Sequence, residues 1–283
     1  MLYVPHQGRR FNLLEHSYGT TRPGTNFGTA ITPSVGSKSA WTQIGSFTLS
    51  APAYGLLINF NSHNTAGATN TTVCDIGIDP AGGTNFSVLI PDLFAAGAQT
   101  YTATGGGRWY YFPLYLPAGC SLGARAQSNN ANALRVFVTT FSYPSALEAL
   151  RYGSFVESLG ITGVNGVTNT GGGTTNEGSW NLIGTINKRC WWWNFALQVA
   201  SSDTTQGSLG IHIDLAVGDS TNKDLIAENV ILHTTTSEQN NQYAPCLAFN
   251  SEFDCPAGSS IYGRLQSSGT LDTFEWAVWG CGG

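Results

Sequence analysis

Charge is what this sequence has least of. Lys, Arg, Asp and Glu together make up 10% of its 283 residues, against roughly 25% in an ordinary soluble domain. With 12 basic and 17 acidic residues and a formal net charge of −5, the chain lacks the clustered Lys and Arg that neutralise phosphates. That excludes duplex nucleic acid as its main partner. No run approaches the roughly 18 apolar residues of a membrane helix, so no membrane partner is expected. Met1 to Tyr18 carries Arg9, Arg10 and Glu15 among mixed side chains and has no apolar signal-peptide core. The expectation is a protein made and retained in a cytoplasm until something else releases it.

Patterns that carry chemistry are missing as well. His6, His16, His63, His212 and His233 have no second His or Cys at a ligand spacing such as HExxH or CxxC, so neither metal nor cofactor is expected. There is no Gly-x-Ser-x-Gly elbow. The Gly-rich stretches lack the Gly-Lys-Ser/Thr ending that holds phosphate, and read as turns. A glycosidase would need two carboxylates facing one cleft. Asp75, Asp79, Asp214 and Asp219 are the only acids near matched positions, and no second acid recurs with the first. The expectation is a protein that is not an enzyme.

What the chain does have is a repeat. Pro117-Ala-Gly119-Cys-Ser-Leu122-Gly-Ala-Arg125-Ala-Gln127-Ser128 returns as Pro256-Ala-Gly258-Ser-Ser-Ile261-Tyr-Gly-Arg264-Leu-Gln266-Ser267, an offset of 256 − 117 = 139. The same offset links Trp41-x-x-Ile44-Gly45 to Trp180-x-x-Ile183-Gly184 (180 − 41 = 139) and Asp75 to Asp214 (214 − 75 = 139). Chance does not align three separate anchors with one shift, so two copies of one fold are expected. Each is about 115 residues, a common domain size.

Within each copy apolar residues alternate. Leu56, Ile58 and Phe60 match Phe195, Leu197 and Val199; Cys74, Ile76 and Ile78 match Ile213, Leu215 and Val217. Period two between Gly-, Asn-, Thr- and Pro-rich breaks reads as strands and turns. Matching phase places the same positions in each core, with Cys74 as a small inward filler. The expected architecture is all-β: two tandem antiparallel β-sandwiches of jelly-roll type related by internal duplication. The Cys…Trp…Cys signature of the immunoglobulin alternative is missing. The domains are expected as an N-terminal arm at 1–27, copy one at 28–143, a connector at 144–166 and copy two at 167–283. In the connector, Ser145 to Tyr152 suits one or two helical turns with Ser145 as N-cap and Glu148 three residues on.

The six cysteines do not follow the repeat: Cys74 falls on Ile213, Cys120 on Ser259, and Cys190 maps back to Ala51. A disulfide framework would recur, so most are read as free thiols of a reducing compartment. A Cys246–Cys255 bridge is left open.

Asp75 and Arg125, and Asp214 and Arg264, sit opposite the core phase and recur together. They are expected as structural ion pairs across neighbouring strands. In Trp191-Trp192-Trp193 the phase points Trp191 and Trp193 inward and Trp192 outward. An outward Trp caps a sandwich, buries against another subunit or stacks on a sugar. Together with Trp192, Arg9, Arg10, Phe11 and Tyr18 of the arm are the candidate interface residues.

The succession Gly-Ser-Lys-Ser-Ala-Trp41-Thr-Gln-Ile44, Ala53-Tyr54-Gly55-Leu-Leu-Ile58, Asp75-Ile-Gly77-Ile78, Val88-Leu-Ile-Pro91 and Tyr111-Phe-Pro113-Leu-Tyr-Leu-Pro117-Ala-Gly119 resembles virion structural proteins of tailed bacteriophages. The resemblance covers Gly28 to Tyr143 well and the second copy loosely. It implies a non-enzymatic virion component assembled in the host cytoplasm, most simply a capsid decoration or cement protein. Its partners would be major capsid or tail proteins and further copies of itself. The alternative is a tail or fibre component that binds a host-surface glycan.

Overall fold

In the computed structural model every named element is a strand. The residues described are 14–19, 28–45, 48–62, 71–96, 108–129, 134–142, 151–199, 209–234, 254–267 and 273–283. The all-β class is as expected.

The first half holds β1 (Leu14–Tyr18), β2 (Thr29–Ile31), β3 (Ser34–Val35), β4 (Thr42–Gln43), β5 (Gly55–Ser62), β6 (Thr72–Asp79), β7 (Ser87–Ala96), β8 (Arg108–Phe112), β9 (Ser121–Ser128) and β10 (Leu134–Ser142). The second holds β11 (Phe155–Leu159), β12 (Val167–Thr170), β13 (Asn181–Thr185), β14 (Trp192–Val199), β15 (Leu209–Gly218), β16 (Lys223–Thr234), β17 (Ser260–Ser267) and β18 (Thr273–Gly282).

Four sheets result. Sheet A runs β1-β10-β5-β8 with β2 also on β10, and sheet B runs β3-β9-β6-β7 with β4 on β9. Sheet C runs β11-β18-β12 with β14 on β18, and sheet D runs β13-β17-β15-β16. The pairings are antiparallel except that β3 runs parallel to β9.

The pairing registers of sheets B and D differ by one constant. Thr42 faces Ala124 and Asn181 faces Gly263; Thr72 faces Ser128 and Ile211 faces Ser267. Each partner in the second half is numbered 139 higher than in the first (211 − 72 = 139). The β6–β7 ladder slips on either side of Ile76, and the β15–β16 ladder slips on either side of Leu215. Such bulges set where a strand bends, and here they recur at one place.

The chain boundaries differ from those expected. Leu14–Tyr18, assigned to the N-terminal arm, pairs along β10 of its own chain from Ser142 to Val138, and β2 continues on the same flank. In the second half Phe155–Leu159, assigned to the connector, and then β12 lie end to end along one flank of β18. In β11, Val156 and Leu159 are buried, a spacing of three that no alternating pattern reports. Of the expected helical turns, only Arg151 and Tyr152 are among the described residues.

Between sheets A and B lies a core that includes Ile58, Phe60, Cys74, Ile76, Ala124 and Val138; between C and D lies one with Trp193, Phe195, Leu197, Ile213, Leu265 and Trp276. Cys74 is an inward filler, fully buried. Each Pro-Ala-Gly repeat closes a turn: Cys120 N–H donates to Pro117 O and Ser259 N–H to Pro256 O. Gly119 and Gly258 have φ of 82° and 88°. A type II turn needs positive φ at this position. Because open space surrounds both α-carbons, conformation alone requires glycine there.

Candidate functional site

The two expected ion pairs stand at matched places in sheets B and D. Asp75 and Arg125 are register partners on β6 and β9, as are Asp214 and Arg264 on β15 and β17. Arg125 Nε donates to Asp75 Oδ2 at 2.8 Å, and Arg264 Nε to Asp214 Oδ2 at 2.9 Å. Both aspartates are almost wholly buried. A buried carboxylate is tolerated only when its oxygens are satisfied, and each oxygen here has a partner. Asp75 Oδ1 accepts from Asp92 N–H at 2.9 Å, and Asp214 Oδ1 from Asn229 N–H at 2.7 Å. Asp92 and Asn229 have φ of 53° and 51°. That left-handed conformation is one Asp and Asn tolerate better than most residues. The bulge thus turns a main-chain donor onto the carboxylate.

Each guanidinium also carries a ring. Arg125 Cζ lies 4.5 Å from the Trp41 ring centre, and Arg264 Cζ 4.5 Å from that of Trp180. Trp41 lies over Gly77, where a Cβ would come within 2.7 Å of the indole, and packs beside Phe86 with ring centres 5.7 Å apart. Planar, weakly hydrated guanidinium suits both roles at once, stacking on the ring and bonding the carboxylate. This tryptophan layer was not assigned from sequence, although Trp41 and Trp180 lie at the same 139-residue offset as the charges.

The outermost member differs. In the first half Lys38 Nζ bridges Asp75 at 2.6 Å and Asp92 at 2.7 Å. In the second, Glu177 makes a short contact with Arg264. Burial and the Asp214 carboxylate push the Glu177 pKa up, although Arg264 pulls the other way. A third charged group, Asp254, takes Arg151 and Arg189 together. The hydrogen bonds from Arg189 hold its carboxyl below the usual range.

Trp192 faces away from the core of the second half, as its phase requires, but it is only 6% exposed. It is therefore not offered to another subunit or to a sugar: the outer face of sheet C lies on the first half of the same chain. Trp192 Nε1 and Asn194 Nδ2 both donate to Tyr111 O at 2.9 Å. Trp279 Nε1 donates to Pro91 O at 2.9 Å, and its ring meets Phe94 and Tyr110 edge-on. Strand phase tells which side of a sheet a residue occupies and not what lies there. Trp191, expected to point into the second core, packs with this seam, under the guanidinium of Arg151. It precedes β14, so the strand alternation does not reach it.

Arg9, Arg10 and Phe11 lie outside the described residues. Tyr18 is the last residue of β1, opposite Val138. Cys246 is likewise outside them, and Cys255 is a free thiol, as are Cys74, Cys120, Cys190 and Cys281. Cys255 instead faces Cys190 in an isolated antiparallel bridge. Burial pushes both thiols up to about 12 and Cys120 up to about 11.

Among the described residues no group of three metal-ligating side chains converges, and no helix is long and apolar enough to cross a membrane. No family model matches the chain, and no curated protein matches it significantly.

Proposed function

We propose that this chain is a structural component of a tailed-bacteriophage virion, a decoration or cement protein. It would act by binding neighbouring major capsid proteins and further copies of itself, without catalysis. The two halves are read as copies of one sandwich unit. The observation that carries the proposal is how the buried acids are used. Asp75 and Asp214, the only buried carboxylates among the described residues that recur in both halves, each have both oxygens engaged by an arginine and a bulge amide. A general acid or base needs a lone pair or proton aimed at open space, and these aim at their own scaffold. Low charge and the sequence resemblance support the same reading.

A second reading, a tail or fibre component that binds a host glycan, is favoured by an exposed group of aromatic rings taken up below. The test between the two is copy number in purified particles, measured by quantitative mass spectrometry against the major capsid protein. Hundreds of copies are expected for decoration. Roughly three to eighteen would indicate a tail or fibre, because closed symmetry sets such counts. Absence from particles would overturn both.

A further inference from the structure

Tyr54, Tyr115 and Tyr152 come from three distant places in the chain and meet at one spot. Their ring centres are 5.6 Å apart for Tyr54–Tyr115, 5.3 Å for Tyr54–Tyr152 and 5.6 Å for Tyr115–Tyr152. Each sits beside a fixed point of the main chain. Ala53 and Leu116 exchange both backbone hydrogen bonds, at 2.9 and 2.8 Å. Tyr115 N–H donates to Gly153 O at 3.1 Å, and Gly153 N–H to Pro113 O at 2.6 Å. Tyr54 N–H is held by Phe141 O at 2.9 Å. The rings therefore stand on tied backbone, a condition for a preformed site.

Tyr115 is 41% and Tyr152 44% exposed, the two most exposed of the large aromatic side chains among the described residues. A tyrosine covers about 150–250 Å² in all, so the open ring surface here is on the order of 200 Å². A stable protein interface needs roughly 800 Å² on each side. The patch is far too small for that, and it matches the face of one or two sugar rings.

The group also stands apart from the repeated scaffold. The ion pairs, the tryptophan layer, the bulges and the Pro-Ala-Gly turns all recur in the second half. At the positions 139 residues after Tyr54 and Tyr115 stand Trp193, buried in the second core, and Asp254, already held by Arg151 and Arg189, so the open ring group is not repeated. A feature found in one half alone is not required by the shared fold.

We infer that Tyr54, Tyr115 and Tyr152 form a binding platform for a neutral carbohydrate. Pyranose rings present an apolar C–H face to stack on tyrosine and hydroxyls at the rim to meet the phenols. Arg151, the nearest charge in sequence, is turned onto Trp191 and Asp254, which favours an uncharged sugar. This deepens the glycan-binding reading, but it is tested on the isolated chain, so its failure leaves the particle-component reading standing.

The test is saturation-transfer NMR on the full chain with cellotetraose, chitotetraose and maltotetraose as probes. At least one probe is expected to bind in the millimolar range, with affinity falling tenfold or more in Tyr115→Ala and Tyr152→Ala. Trp109→Ala, an exposed aromatic on sheet A, is expected to bind as the unaltered chain does. Thermal melts of the variants check that they remain folded. Transfer to none of the three probes, or equal binding by the folded Tyr115→Ala and Tyr152→Ala variants, overturns the inference.

Discussion

Glu177 occupies in the second half the place that Lys38 occupies in the first, 139 residues earlier (177 − 38 = 139). One position thus holds opposite charges beside equivalent Asp–Arg pairs. The bulge residue changes with it, from Asp92 to Asn229, so the first cluster joins two cations to two anions and the second one cation to two carboxylates.

That difference gives the second half a pH dependence. The Glu177 pKa is raised above its ordinary 4.5 by burial and by Asp214. A raised carboxyl binds its proton more tightly in the folded state. Its contribution is therefore complete below about 4.5 and is lost as pH rises through the raised value. Glu177→Gln should flatten the stability–pH curve between pH 4 and 7, with the gain over wild type greatest at neutral pH. Urea denaturation at several pH values checks this. The double variant Glu177→Lys, Asn229→Asp, which copies the first half, should also lose the dependence.

Arg125→Met leaves Asp75 Oδ2 without its donor while Lys38 still meets Oδ1, and should destabilise the first half by about 1–3 kcal/mol. Arg125→Lys keeps the charge but loses the flat stack on Trp41 and the fixed Nε donor. It should still cost about 1–2 kcal/mol. Denaturant midpoints at pH 7 measure both. Equal stability of Arg125→Lys and wild type would mean the tryptophan layer contributes nothing.

Trp279→Ala removes the ring that touches Phe94 and Tyr110 and the donor to Pro91 O. A loss of about 3–5 kcal/mol is expected. Because the missing contacts join the halves, calorimetry should show one transition for the unaltered chain and two for the variant.

The five buried thiols among the described residues should resist alkylation. At pH 8 a thiol with a pKa of about 12, as for Cys190 and Cys255, is only about one part in ten thousand thiolate, the nucleophilic form. Iodoacetamide followed by peptide mass spectrometry should leave Cys74, Cys120, Cys190, Cys255 and Cys281 unmodified in native protein and label them in urea.

Removal of residues 1–27 strips β1 from β10 and should lower the stability of the first half. Removal of 1–13 spares that strand. If particle docking uses Arg9, Arg10 and Phe11, the shorter deletion alone should reduce incorporation.

Much of the strand pattern was legible because residues recur at one offset of 139. Asp75, Arg125 and their counterparts were readable as ion pairs since opposite charges recurred on the same strand face at one offset. Trp41 carries the same offset, but the offset alone does not tell what its ring covers. An indole over a glycine and an arginine leaves no local pattern. The outward phase of Trp192 was readable, but its neighbour Tyr111 comes from a different sheet, about 80 residues away. Tyr54, Tyr115 and Tyr152 are joined only by long-range bridges, which period and spacing do not report.

The place of β18 bears on synthesis. It has β14 on one flank and both β11 and β12 on the other, and it supplies Trp279 to cover the first half. A nascent chain that has already made every strand of the first half still lacks that cover. Its edge near Pro91 and Tyr110 stays open to solvent, and to chaperones or neighbouring nascent chains, until translation has passed Gly282.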